Sequence, residues 1–525
     1  MKIFKMLLVI SLMLFFSCDK SVKSQKQILR LSLASEPPTF DPRKASDNIS
    51  SLLTQACFEG LTILNGQQEP ELAVAERYQV SEDQKIYTFY LRKASWWDGK
   101  PVTAHDFEFT WKATLAPTFP SAIAYQLYSL KNAKSAKEGV CSLNEVGVKA
   151  VDATTLVVEL ENPSPFFLKV LASSPFLPTP AHLASLSPNW ACDCNEQFVG
   201  NGPFKLKQWR HQNALILEKN TFYWDEKNVG LDEIHFAIVE DENTNLSLFE
   251  AGELDWIGYP FSAVPLDALP ILYEKKQVER FPLCSAYYYI FNTKEPPFDS
   301  TLIRRAFALA IDRQGIVQHV TQSGQIPATG IVPPYLWGEE VAHFADHNLV
   351  EARRLFQMAL DEMGITAKTL PQIKLVYNRT EGHHKIAQAI QQQWFEAFGI
   401  RVALENLEWK VFLNQMRSRQ FQVARMGWIA TVDDPLSFLD QFRNLNDTGW
   451  ENETFNALVR EAEETIDPTQ RMRLLKEAEA ILIAEMPIAP IYFYTGNYMK
   501  QPHVQGMHPS SIVNLNLKPV FLETR

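Results

Sequence analysis

Acid–base, nucleophilic or metal chemistry in this 525-residue chain would have to start from its 11 histidines, 6 cysteines and 61 acidic side chains. Their spacing offers little purchase. His343 and His347 stand i, i+4 around Asp346, which on a helix would put two imidazoles on one face. Such a lone pair is more often two surface polar residues. His383-His384 opens a helical pattern, a place where free backbone N–H groups and imidazoles suit an anion or a metal. An exposed helix start with no ligand is the plainer alternative. Cys192-Asp-Cys194 is too tight for a standard zinc pair, and no second Cys/His pair follows at finger spacing. The chain has no Gly-x-Ser-x-Gly elbow, no phosphate-binding Gly-x-x-x-x-Gly-Lys-Ser/Thr loop and no His-Glu-x-x-His. Gly200-Asn-Gly202 is followed by Pro203 and Phe204 and lacks the third glycine of a dinucleotide loop. We therefore expect no catalytic residue, no metal and no cofactor, and a binding function rather than catalysis.

The elements that would carry these residues can be read from periodicity. Residues 28–33 and 86–91 alternate apolar and polar like half-buried strands. Residues 103–115 read as a helix with Thr103 as N-cap and Asp106 three positions on. Residues 146–160 read as two strands across the turn Asp152-Ala-Thr-Thr155. Further along, residues 372–378, 401–407 and 421–428 read as strands, with helices over 382–398 (stopped by Gly399) and 409–419 between them. This β-α-β-α-β order argues a parallel sheet covered by helices. Asp467-Pro-Thr-Gln470 caps a helix running to about residue 485.

Length at roughly 100–200 residues per domain allows two to four domains. Charged residues make up 21% and hydrophobic ones 46%, which excludes disorder and long coiled coil. The net charge of -11 argues against nucleic acid as a partner. At the N-terminus, Lys2 and Lys5 precede an apolar run over 6–16 and then Ser17-Cys18-Asp19. That run is too short to span a bilayer and reads as a secretory signal peptide. The small residue before Cys18 resembles a bacterial lipobox with Phe15 in place of the usual Leu. We expect Cys18 to be lipidated, residues 1–17 to be removed and residues 18–27 to form a tether. The remaining cysteines, 57, 141, 192, 194 and 284, are odd in number and cannot all pair. Cys141 would meet Cys192 or Cys194 if the fold brings them together.

One block is specific enough to name a family. Ala75-Glu-Arg-Tyr78, Tyr87-Thr-Phe-Tyr-Leu-Arg-Lys93 and Trp97-Asp-Gly-Lys-Pro-Val-Thr-Ala-His-Asp-Phe107 resemble the signature of the peptide- and nickel-binding solute receptors of ABC importers. Phe40-Asp-Pro42, Phe58-Glu-Gly-Leu61, Asn201-Gly-Pro203, Tyr287-Tyr-Tyr-Ile-Phe-Asn292, Arg304-Arg-Ala-Phe-Ala-Leu-Ala-Ile-Asp-Arg313 and Pro490-Ile-Tyr-Phe-Tyr494 follow in family order. Tyr377-Asn378, His383, Glu408-Trp-Lys and Ala424-Arg-x-Gly-Trp428 place the likeness nearest the oligopeptide-binding members. The resemblance implies an α/β fold, the type II periplasmic binding-protein clamp of two hinged lobes with an inserted third domain. It implies domain I over 28–58, 179–283 and 496–525, domain II over 59–178 and domain III over 284–495. It also implies a monomer that closes on a short peptide and hands it to the permease subunits of an importer, in the periplasm and tethered to a membrane by its lipid.

The site residues follow from the same resemblance. Arg425 and His383 match positions that hold the peptide's terminal carboxylate. Trp409, Gly427, Trp428, Tyr494, Cys284, Ala286 and, more loosely, Tyr125 match the rest of the lining. The strands over 423–428 and 284–289 are expected to offer edges to the peptide backbone. Two positions depart from the family. Thr431 stands where relatives carry the aspartate that binds the ligand's ammonium, leaving Asp433 or Asp434 to reach in. Ser46 replaces a glutamate at the cleft mouth. Thr431 motivates a second expectation: modified or cell-wall (murein) peptides as ligands. Cys284 matches one half of a family disulfide whose other half is Ile429 here, so that bridge cannot form.

Overall fold

The computed structural model describes residues 26–523 apart from 188, 195–197, 340, 431, 445 and 513. The signal segment, Cys18, most of the tether and Thr431 lie outside the described residues. Strand β1 (Ile28–Leu33) opens a sheet that is completed only after a long insertion. The insertion carries helix α1 (Asn48–Cys57), capped by Asp47. It then forms its own antiparallel sheet from β2 (Ala75–Val80), β3 (Ile86–Leu91), β4 (Val148–Ala150) and β5 (Thr155–Glu159), in the order β2-β3-β5-β4. Helix α2 (Ala104–Leu115) starts where expected: the Asp106 carboxylate accepts from both the backbone N–H and the hydroxyl of Thr103. Strands β6 (Phe204–Arg210), β7 (Ala214–Lys219) and β8 (Glu233–Ile238) then return to β1 in the order β1-β8-β7-β6, β1 and β8 being parallel.

The second lobe is built on a seven-stranded sheet. Six strands run in the order β9 (Trp256–Gly258), β14 (Ile488–Lys500), β10 (Glu279–Phe291), β13 (Val423–Ile429), β11 (Lys374–Asn378), β12 (Ala403–Leu407), and the short seventh, Ile326–Pro327, pairs with β14 off this path. Strand β11 is parallel to both β12 and β13, as the alternation of strands and helices requires. Helix α3 (Glu381–Phe398) begins at Thr380, whose hydroxyl accepts from the His383 N–H, and ends on Gly399 at φ +71°. Helix α4 (Trp409–Arg417) is shorter than its pattern suggests, because Arg419 turns to φ +53°. Helix α5 (Pro468–Glu485) is capped by Asp467.

Two large apolar cores fill the lobes, one over the N-terminal sheets and one over the second-lobe sheet. Strands β10 and β14, 13 residues each, run through both lobes. Near β9, Trp256 stacks on Tyr498 with ring centres 4.3 Å apart. Between Pro282 and Ala286 the β10–β14 register shifts, and Leu283 to Ser285 bulge out of the ladder. The clamp therefore has a break in its pairing where one lobe passes into the other.

Two groupings that the sequence left open do not form. His343 and His347 do not share a helix face: the segment is irregular and His347 sits at φ +51°. His343 instead lies 3.0 Å from Glu479, a fully buried carboxylate that also accepts from the Ile331 and Val332 backbone N–H groups and the Trp337 indole. Cys141 reaches neither Cys192 nor Cys194; the five described cysteines are free. Replacing Glu479 by Leu strands several buried donors, each costing about 1–3 kcal/mol. Glu479→Leu is expected to lower the urea unfolding free energy by about 3 kcal/mol or more. A loss below about 1 kcal/mol would show that the donors find other acceptors.

Candidate ligand-binding cleft

Alternate residues of a strand share a face. Pairing of Tyr287 with Gly427 and Tyr492, and of Tyr289 with Arg425, gathers these side chains on one face of the second-lobe sheet. Tyr494 joins them from β14. Tyr287 and Tyr492 stack at 4.7 Å, and Tyr494 meets Tyr492 edge-on at 5.2 Å. Arg425 projects into this phenolic wall. Its Nη2 donates to the Tyr494 hydroxyl at 2.8 Å and its Nη1 to Asn378 Oδ1 at 3.4 Å. Its guanidinium carbon lies 4.7 Å from the Tyr287 ring centre, a cation–π distance. Its Nε is buried without a hydrogen-bond partner.

Among the described residues, no carboxylate pairs with Arg425. Burial works against its charge, but the phenol oxygens of Tyr494, Tyr287 and Tyr492 more than offset that and hold its pKa above the usual guanidinium value. Gly427 keeps the approach open: a Cβ there would lie 3.1 Å from the Tyr494 hydroxyl and 3.2 Å from Arg425 Nη2. His383 enters from the first turn of α3, its Nδ1 3.3 Å from the Tyr287 hydroxyl. Burial, reinforced by the Arg425 charge, lowers its pKa to about 3, so it is neutral at pH 7. A half-buried cation without a counter-ion, flanked by a neutral imidazole and hydroxyls, is equipped to hold an anion.

The backbone supplies a second element. Strand β11 pairs only with Val423 and Ala424 of β13. Beyond them, Arg425 to Ile429 have β10 on one side and no described strand on the other. Those unpaired backbone groups are a template for an added strand. The second expected edge is corrected: residues 285–289 lie inside the sheet, with β13 on one side and, from Ala286 on, β14 on the other.

The other expected site residues divide. Trp428 sits across from Ala286, on the face opposite Arg425, and its indole N–H is buried without a partner. Ala286 and Cys284 are fully enclosed by protein atoms; the Cys284 thiol lies 3.9 Å from the Val432 carbonyl. Trp409 opens α4. Ser46 is exposed just before α1 and Tyr125 is 44% exposed; neither contacts the Arg425 cluster. A hydrogen bond from Ser121 to the Arg43 carbonyl does bring the Tyr125 turn beside the Ser46 segment. Asp433 bonds to Tyr335 and Ser511. The cage tyrosines 287 and 492 and Asn378 went unassigned, although the two-residue period of Tyr287-Tyr-Tyr289 and Tyr492-Phe-Tyr494 signals a shared face.

A pH dependence follows from His383. Its folded pKa of about 3 lies below the ordinary value of 6.5, so between them the unfolded chain binds the extra proton. Acidification through that window must therefore cost ligand-free stability. His383→Gln removes this contribution, so its unfolding free energy relative to the parent should improve as pH falls from 6.5 towards 3. A difference independent of pH would contradict the burial of a neutral imidazole.

Comparison with known proteins identifies the family. Residues 69–450 match the bacterial extracellular solute-binding proteins, family 5. The chain is 41% identical over 491 residues to the oligopeptide-binding protein of Bacillus subtilis, covering 92% of this chain and 90% of that protein. Its fold superposes on the murein tripeptide-binding protein of Escherichia coli with a TM-score of 0.84, at 27% identity, over 96% of this chain and 99% of that one. The Haemophilus influenzae oligopeptide-binding protein, solved in complex with RPPGFSPFR, gives 0.82 at 28% identity over 95% and 99%. These are solute-binding proteins rather than enzymes. The chain belongs to family 5 of the bacterial extracellular solute-binding proteins.

Proposed function

We propose that this protein is the substrate-binding lipoprotein of an ABC importer, which captures short peptides in the closing cleft and delivers them to the permease. The observation that carries the reading is the unpaired Arg425 guanidinium beside the free edge of β13. An extended peptide can add to that edge through its main chain while its terminal carboxylate neutralises Arg425. From Arg425 to Ile429 the edge spans about 13 Å at roughly 3.3 Å per residue, which suits a peptide of a few residues. Similarity to oligopeptide-binding proteins supports the same ligand class.

In this reading the cleft lies between domain I (28–58, 179–283, 496–525) and domain III (284–495), with domain II (59–178) inserted. Closure bends the molecule where the β10–β14 pairing breaks. Cys18 provides the lipid anchor; among the described residues no helix is long and apolar enough to cross a membrane. A second reading keeps the scaffold and changes the ligand to a cell-wall peptide. Thr431 and the likeness to the murein tripeptide-binding protein favour it. Competition between murein tripeptide and tri-alanine separates the two, and a clear preference for tri-alanine excludes the second.

The carboxylate role of Arg425 is testable by calorimetric titration. Arg425→Ala should weaken tri-alanine binding by about 1.5–3 kcal/mol, the worth of a charge-assisted bond. C-terminal amidation of the peptide should cost the parent protein a similar amount and the variant little. Unchanged affinity in the variant would place the carboxylate elsewhere.

A further inference from the structure

The insertion between β1 and β6 faces two ways. Around its strand Thr62–Leu64, Leu61 packs into the first-lobe core while Leu64 packs into the second-lobe core. The short helix Phe167–Val170 repeats the division. Phe167 and, four residues on, Leu171 are buried in the first-lobe core, whereas the flanking Phe166 and Ala172 pack against the second. The two pieces are tied together, the Thr62 hydroxyl donating to the Leu168 carbonyl at 2.7 Å. The result is one small apolar face, made of Leu64, Phe166 and Ala172, presented to the other lobe. Leu64 is 2% exposed and Ala172 5%.

On the second lobe this face meets Arg471, in the first turn of α5. Both terminal nitrogens of Arg471 donate to the Asp434 carboxylate at 2.8 Å. Its guanidinium carbon lies 5.5 Å from the Phe166 ring centre, within cation–π range. The side chain is buried, and among the described residues its Nε has no hydrogen-bond partner. Asp434 also accepts from the Leu436 N–H at 2.8 Å, so Arg471 fixes the segment that follows the free edge of β13. Leu64, Phe166, Ala172 and Arg471 all lie off the strands that join the lobes and off the elements that carry the Arg425 cage. Packing alone holds the contact, so lobes that part would return this apolar face to water.

We propose that the insertion acts as a latch on the clamp. Its face of Leu64, Phe166 and Ala172 grips the second lobe at Arg471, favours the closed form and sets ligand affinity from outside the cleft. A contact made in the closed form and given up in the open one shifts that equilibrium by its own free energy. A ligand held by the closed form gains affinity in proportion to the closed fraction. The latch rests on the lobe closure proposed above and not on the identity of the ligand. It gives the insertion a task of its own: slowing ligand release without touching the ligand.

The test compares the full-length protein with Phe166→Ala and Phe166→Leu. Calorimetric titration with tri-alanine and tri-alanine amide gives the affinities, and stopped-flow chase gives the release rate. Phe166→Ala should bind tri-alanine about fivefold more weakly, with the loss appearing as faster release. Phe166→Leu keeps apolar cover and loses the ring face, so it should lose less. Both variants should keep the parent's preference for tri-alanine over its amide, which reports an intact Arg425 site. The latch is overturned if affinity and release are unchanged in Phe166→Ala, even with a lowered melting temperature. It is equally overturned if the weaker binding comes with loss of the preference for the free carboxylate, which would place the effect in the cleft. Should Phe166→Ala not fold, Phe166→Leu is judged by the same outcomes. If the parent binds neither peptide, the peptide reading fails and small-angle scattering of the ligand-free proteins decides for the latch separately. A larger radius of gyration in the variant supports it, and an equal radius overturns it.

Discussion

A guanidinium enclosed by phenol rings, with no carboxylate beside it, sets the terms for the rest of the cleft. Arg425 keeps its charge because Tyr494 and Asn378 accept from it and the Tyr287 ring lies against it. None of these partners cancels it. A half-buried cation left in that state is costly unless an anion completes it. The surrounding residues leave that charge accessible. Gly427 leaves space in front of the guanidinium, His383 stays neutral beside it, and two stacked tyrosines make a wall that cannot supply a competing carboxylate.

The same strand that carries the cation ends its pairing with β11 just before it, at Ala424. A cation without a counter-ion and an unpaired strand edge are thereby placed on one segment of chain. The lobes, in turn, are joined by strands that also carry the site. β10 contributes the cage tyrosines, crosses the seam through a bulge and continues into the other lobe; β14 does the same with Tyr492 and Tyr494. In the function proposed above, a ligand that fills the cage acts on the elements that would bend. The C-terminal segment at Ser511 adds a further tie at the same seam, and it lands on an acidic rather than a basic residue.

Much of the fold was legible because its elements carry local signals. Asp467-Pro468 and Thr103 with Asp106 mark helix starts that the structure keeps, and the order of strands and helices after residue 372 required the parallel pairs found there. Arg425 and His383 could be named from the family pattern, and the structure brings them together. What was not legible depends on tertiary partners. Asp433 and Asp434 are chemically identical neighbours; only Arg471, 37 positions from Asp434, tells them apart. Ser511 is 78 positions from Asp433 and has no local feature to mark it. The spacing of His343 and His347 suggested a shared face only on the premise of a helix, and the chain turns there instead. Cys284 and Ala286 matched family positions, but burial within the sheet leaves their side chains enclosed.

The most direct test of the central claim is a structure of the protein with tri-alanine bound. The account predicts an extended peptide along Arg425 to Ile429 of β13, its terminal carboxylate within hydrogen-bonding distance of the Arg425 guanidinium. A bound peptide whose carboxylate lies elsewhere, with Arg425 still contacting only Tyr494, Asn378 and Tyr287, would contradict it.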